Sequence, residues 1–286
     1  MKHTLIDSHC HVHFQAYAED MDEVVQRALA SGVGMITVGT QTSTSKKAVE
    51  LARRYEGVWA TIGLHPNHLH AQEFFDEDEL PPEERATGKI KTRNESFNPD
   101  DYRELVTDPN VVAVGEFGLD YYRIPDGHDR DQVIADQKEE CRKQLAFASE
   151  YDKPIVIHCR DAHQAQYELL KAEIDAGGLK KHGVIHSFTG TIEDAARYRE
   201  LGFMLGLNGI LTFSKELQEV IRVVPLEQII IETDAPYLTP PPNRGKRNEP
   251  EYVKHIAEFI AELKGVSVEE VAEQTTEQTI TLFQLK

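Results

Sequence analysis

Six side chains able to hold a metal ion close successive apolar runs of the chain: His9 and His11, then Glu116, His158, His186 and Asp234. His9 and His11 flank Cys10 after Leu5-Ile6-Asp7-Ser8, and in an extended strand that spacing turns both imidazoles to one face and Cys10 to the other. The pattern recurs where Val111-Val112-Ala113-Val114-Gly115 runs into Glu116, Ile155-Val156-Ile157 into His158, Gly183-Val184-Ile185 into His186, and Ile229-Ile230-Ile231-Glu232-Thr233 into Asp234. A single buried histidine is ordinarily a hydrogen-bonded core residue, and a single strand-end aspartate a cap. Four imidazoles and two carboxylates converging on one point are costly to bury unless a cation offsets them. Imidazole and carboxylate donors together suit zinc, manganese, cobalt or nickel, whereas magnesium and calcium favour oxygen shells. Six ligands overfill one catalytic ion; with a shared carboxylate they describe two, an arrangement that can clamp the attacking and leaving oxygens of a phosphodiester and lower the pKa of a water between the ions.

The elements that must position these residues alternate. Strand-like runs fall at 4–6, 35–39, 58–62, 111–115, 154–157, 183–185, 203–207 and 229–231. Amphipathic helical patterns lie between them at 22–30, 45–54, 132–149, 162–174, 193–201 and 215–223, and two more, 251–263 and 268–276, are expected to pack outside and close the ring. Strand and helix in alternation mean parallel strands with right-handed crossovers. Eight such units in 286 residues predict one domain over 1–286, a (β/α)8 TIM barrel whose chemistry sits at the C-terminal ends of its strands.

A net charge of −18 disfavours a broad phosphate-binding face, so a nucleotide substrate needs local cations and is better offered as short single strands or ends. Arg244, Lys246 and Arg247, in the loop after Asp234, and Arg160, two residues past His158, supply candidates. Three widely spaced cysteines, Cys10, Cys141 and Cys159, argue against a disulfide framework; with neither a signal-peptide core nor a membrane span, a cytoplasmic protein is expected. Alternation turns Cys10 and Cys159 toward the helix layer as small buried hydrophobes. His3, His13, His68, His70, His128, His163, His182 and His255 have no ligand spacing, and surface or supporting positions are expected for them. No dinucleotide or Walker fingerprint is present.

The blocks Asp7-Ser8-His9-Cys10-His11, Ile62-Gly63-Leu64-His65-Pro66, Val114-Gly115-Glu116-Phe117-Gly118-Leu119-Asp120-Tyr121, His158-Cys159-Arg160-Asp161-Ala162, His186-Ser187-Phe188-Thr189-Gly190 and Glu232-Thr233-Asp234-Ala235-Pro236-Tyr237-Leu238 resemble, in order, those of the TatD family of metal-dependent deoxyribonucleases, within the amidohydrolase-like barrels. The resemblance implies two divalent ions, one on His9, His11 and Asp234 and the other on His158 and His186, bridged by Glu116, with magnesium, manganese, zinc and cobalt all open as the identity. It implies DNA ends or single strands as substrate, with exonuclease action in the 3′-to-5′ direction expected and endonuclease cutting, also found in the family, left open. Asp234 would assist the attacking water with Glu116 as catalytic partner, and His65, Arg160, Arg244 and Arg247 would contact substrate. Glu116, where related barrels often carry a carboxylated lysine, favours the nuclease branch over phosphotriesterase-like relatives. Two other readings share the ions: a hydrolase of a small ester, lactone, amide or phosphoester, and a metal-binding protein without turnover. No membrane contact and no obligate protein partner are expected.

The rhythm breaks at residues 67–98, an acidic insertion in the third βα loop, read as a solvated excursion or as a lid bearing Phe74 and Phe75 over the site. If it is a lid, deleting residues 72–96 changes activity or substrate selectivity; a deletion that leaves both as they were rules the lid out.

Overall fold

The computed structural model describes residues 3–74, 90–92 and 94–286. Its strands follow the chain in order around one parallel sheet: Leu5–Cys10, Val33–Val38, Val58–Ile62, Val111–Asp120, Ile155–Arg160, Gly183–Ile185, Met204–Leu207 and Ile229–Ile231. This is the expected TIM barrel. Strands one, four and five run past the expected ends at 6, 115 and 157, so His9, Glu116 and His158 lie within strands, whereas His11, His186 and Asp234 lie just beyond them. Hydropathy marks where the apolar lining stops, while the ladder continues through polar residues that face the barrel mouth.

Two layers of core account for the alternation along each strand. Ile6, Ile36, Val38, Val112, Val156, Val184 and Ile230 fill the barrel interior together with Trp59. Leu5, Met35, Val58, Ile155 and Ile229 pack instead with helix residues such as Val24, Ala48, Leu145 and Leu170, and Cys10 and Cys159 join this outer layer as expected. The three cysteines are free and buried.

The helices carry the signals their sequences suggest. Asp129 caps Arg130–Glu150 through the amides of Asp131 and Gln132, and Thr191 with Asp194 forms a capping box on Ile192–Glu200. Val253–Lys264 stops at Gly265, whose φ of 70° suits glycine. The last helix, Val268–Phe283, is seven residues longer than its periodicity indicated, and its Phe283 reaches the interior cluster rather than staying outside the barrel. Within the insertion, Glu73–Phe74 pairs antiparallel with Ile90–Lys91. Phe75 and the rest of 75–89 lie outside the described residues, and with them the lid reading.

The barrel closes at its mouth. Cys10 bridges Ala235, the His11 amide donates to the Ala235 carbonyl at 2.7 Å, and the Asp234 amide donates to the His9 carbonyl at 2.9 Å. Buried Asp7 fastens this seam: it accepts from the Thr233 amide at 2.9 Å, the Thr233 hydroxyl at 2.5 Å and the His9 amide at 3.2 Å. Asp7→Ala therefore strands buried donors and is expected to cost about 3 kcal/mol in urea unfolding, with Asp7→Asn losing less. A loss under about 1 kcal/mol would show that the seam does not depend on Asp7.

Candidate metal centre

Polar side chains from five strands, or from the segments just beyond them, converge on the floor of a cavity of about 730 Å³ at the mouth of the barrel. His9, His11, Glu116 and His186 are buried, while His158 and Asp234 keep partial exposure toward the cavity. Asp234 holds a φ of 56°, a left-handed conformation uncommon for a residue other than glycine and often found at functional positions.

The donor atoms form two sets on the two oxygens of Glu116. On Oε2, His9 Nε2 stands 3.4 Å away, and lies 3.2 Å from His11 Nε2 and 3.7 Å from Asp234 Oδ1, with His11 Nε2 3.4 Å from the same Asp234 oxygen. On Oε1, His158 Nδ1 stands 2.9 Å away, His65 Nε2 3.4 Å and His186 Nε2 3.7 Å. Most of these separations are long for strong hydrogen bonds. They match donors sharing a cation, because tetrahedral ligands at about 2.1 Å from an ion stand roughly 3.4 Å apart. The residues present therefore fit a divalent metal.

Three of the ligand imidazoles are oriented from behind. His11 Nδ1 lies 2.7 Å from the Val38 carbonyl, so that nitrogen carries the proton and Nε2 is left to ligate. His158 donates from Nε2 to Asp120 at 3.0 Å and presents Nδ1. His186 sets Nδ1 2.9 Å from Glu232 and points Nε2 inward. His65 is the opposite case. Its Nδ1 accepts from the Asn67 amide at 3.1 Å and burial lowers its pKa to about 4, so it is neutral with the proton on Nε2. A protonated nitrogen cannot ligate; although His65 sits with Glu116 and His158 in a possible donor group, its tautomer makes it a donor to an anion.

Electrostatics agree with an ion-binding floor. Burial would raise the Glu116 pKa, but His65, His186, His9 and the bond from His158 outweigh it and hold the carboxyl well below the usual range. Burial would likewise depress His186, yet Glu232, Glu116 and Asp234 drive its pKa up to about 10. Its stacked neighbour His9, ring centroids 3.5 Å apart, is pushed down by burial and by that charge. Without a metal the cluster thus holds a proton on His186 that an ion would displace.

The six expected ligands therefore meet. His65 and Arg160 line the cavity beside them. Arg160 lies over the Tyr122 ring at 3.9 Å, and exposed Arg244 lies over Phe213 at 4.1 Å. Arg247 is engaged elsewhere. It pairs with Asp20 at 2.5 Å, donates to the Ala16 carbonyl at 2.7 Å and covers Tyr17, which ties the loop down and takes its guanidinium away from substrate. Of the surface or supporting positions expected for the remaining histidines, His13 and His68 take supporting ones, since both line the cavity with Lys47 and Arg123. Sequence reasoning passed over Asp7, Asp120 and Glu232. Each stands two or four residues from a ligand along the chain, and that spacing was the one signal available for it.

A buried floor of histidines and carboxylates at the C-terminal mouth of a parallel barrel defines a metal-dependent hydrolase. The chain belongs to the TatD family: residues 6–284 match the family described as TatD related DNase. It is 38% identical to the metal-dependent hydrolase YabD of Bacillus subtilis, over 98% of this chain and 99% of that protein. It is 34% identical to the 3'-5' ssDNA/RNA exonuclease TatD of Salmonella typhimurium, over 94% of this chain and 95% of that one. The crystal structure of YJJV, a TatD homologue from Escherichia coli, superposes over 100% of both chains with a TM-score of 0.82 at 28% identity.

Removing the support behind one ligand should loosen the metal without unfolding the barrel. Asp120→Asn and Glu232→Gln are each expected to weaken ion binding about 10–100-fold in calorimetric titration, with far-UV circular dichroism unchanged. Metal affinity should also rise with pH and keep rising toward about 10, because His186 must give up its proton; calorimetry in buffers of different ionisation heat should show proton release on loading. Affinity independent of pH would contradict His186 as a ligand.

Proposed function

We propose that this protein is a two-metal deoxyribonuclease that removes nucleotides from the 3′ ends of single-stranded DNA. The observation that carries the reading is Glu116, whose two oxygens face separate donor sets on a cavity floor beside cationic walls. The exonuclease named among its relatives supports the substrate class. His9, His11 and Asp234 would hold one divalent ion, His158 and His186 the other, with Glu116 between them. When bound, two such ions neutralise phosphate charge and make a nearby water acidic enough to attack near neutral pH.

The chain's own residues supply the remaining work. Asp234, partly exposed to the cavity, orients the attacking water and accepts its proton. His65, neutral with its proton on Nε2, donates to a non-bridging phosphate oxygen. Arg160 on the cavity wall can offer its guanidinium to a neighbouring phosphate, as can exposed Arg244 in the loop after strand eight. The walls suit single strands better than duplex, because a net charge of −18 disfavours a broad phosphate-binding face. Free buried cysteines fit a reducing cytoplasm, and among the described residues no helix is long and apolar enough to cross a membrane.

End-labelled single-stranded DNA and metal-stripped protein, reconstituted separately with magnesium, manganese, zinc and cobalt, test this directly. Nucleotide release should depend on metal and fall by at least about a thousandfold in Asp234→Asn at unchanged stability. Glu116→Gln should weaken both ions together, and loss of one alone would contradict the bridge. Metal-loaded protein silent on DNA but active on small esters would select the small-substrate hydrolase instead.

A further inference from the structure

Among the described residues six large hydrophobic side chains are exposed, and the two aromatic ones, Tyr122 at 62% and Phe213 at 48%, both follow barrel strands at the mouth. Isolated exposed apolar residues are ordinary. These two share a further property: each carries a guanidinium on its ring, Arg160 at 3.9 Å and Arg244 at 4.1 Å. The rings of the other arginine pairs, Tyr17, Tyr55 and Tyr167, are buried or half-buried.

Tyr122 hangs from a carboxylate that also stands behind a metal-site histidine, and Phe213 is linked to another through Ile210 and Asn208. Asp120, which accepts from His158, accepts from the Tyr122 amide at 3.0 Å and the Arg123 amide at 2.8 Å, fixing the turn that presents Tyr122. Arg160 sits opposite Asp120 in the ladder, and the Tyr121 amide donates to the Arg160 carbonyl at 2.9 Å. Across the mouth, Asn208 donates to Glu232 at 3.2 Å and caps the amide of Ile210 at 3.1 Å, and the Phe213 amide closes on the Ile210 carbonyl at 3.1 Å. Ile210 and Arg160 line the cavity. One platform rises from strands four and five, the other from the loops after strands seven and eight.

We propose that Tyr122 and Phe213 are base-stacking platforms for a single strand lying across the metal centre, with Arg160 and Arg244 pairing the adjoining phosphates. The proposal rests on the nuclease reading. An aromatic ring accepts any base on the face opposite its guanidinium, and that guanidinium meets the phosphate of the same nucleotide. Such a site binds without sequence preference. It also selects single strands, because bases in a duplex are already stacked on one another.

The test uses the metal-loaded full-length protein, a thymidylate hexamer, a hexamer of abasic nucleotides, and bis-p-nitrophenyl phosphate, a phosphodiester without bases. Tyr122→Ala and Phe213→Ala should each raise KM for the thymidylate about tenfold, with kcat and bis-p-nitrophenyl phosphate kinetics within about twofold of wild type. Tyr122→Phe should keep the wild-type KM. The wild-type protein should bind the abasic hexamer as weakly as the Tyr122→Ala/Phe213→Ala double variant binds thymidylate. A KM within about twofold of wild type at either position removes that platform. Equal losses on thymidylate and on bis-p-nitrophenyl phosphate overturn stacking in favour of a disturbed site. A wild-type protein that releases nucleotide while both alanine variants are indifferent overturns this inference alone; one that releases none overturns the nuclease reading with it.

Discussion

The seam where strand one meets the segment after strand eight is the contact on which the other features rest. Backbone bonds from His11 to Ala235 and from Asp234 to His9 close the barrel and, in the same act, place the His9–His11 pair against Asp234. Residues at opposite ends of the chain thereby share one floor. Asp7 makes the seam specific, since it accepts from both sides of it while buried. A slip of one residue would turn His9 and His11 to the helix layer and Cys10 into the site.

Burial of so many ionisable groups calls for a balance of charge. Imidazoles carry Glu116 and Asp234 in the ionised state, while the carboxylates of Glu232 and Glu116 raise His186. The arrangement is therefore poised for exchange of a proton against a metal ion. Groups behind the rings also settle which nitrogen is presented, and that choice separates His158, backed by Asp120 and open at Nδ1, from His65, whose Nδ1 is occupied by the Asn67 amide and whose Nε2 bears hydrogen. Two histidines side by side thus come to different chemistry through one hydrogen bond each.

Charge is distributed with similar economy. The chain is strongly acidic overall, yet Lys47, Arg123 and Arg160 line the cavity. Local cations inside an acidic shell confine attraction for phosphate to the mouth, where field lines are focused by low-dielectric walls. Tyr122 and Phe213, in the segments after strands four and seven, carry arginines on their rings, so stacking and charge act at the same places.

The alternation of strand and helix, the barrel, and the six polar residues that end its apolar runs are legible in the chain alone, because strand period and hydropathy are local properties. The outward turn of Cys10 and Cys159 is legible too, through simple alternation. Whatever depends on distant neighbours was left to the folded molecule. Arg247 looked available for phosphate beside Arg244, but Asp20, more than two hundred residues away in sequence, takes its guanidinium. The ends of strands one, four and five were not legible, since ladder bonds continue where the apolar lining has stopped. Nor could the chain alone reveal that Glu116 turns one oxygen to each donor set, or that His65 is a donor. Those facts are set by relative positions of side chains on separate strands, which only closure of the barrel fixes.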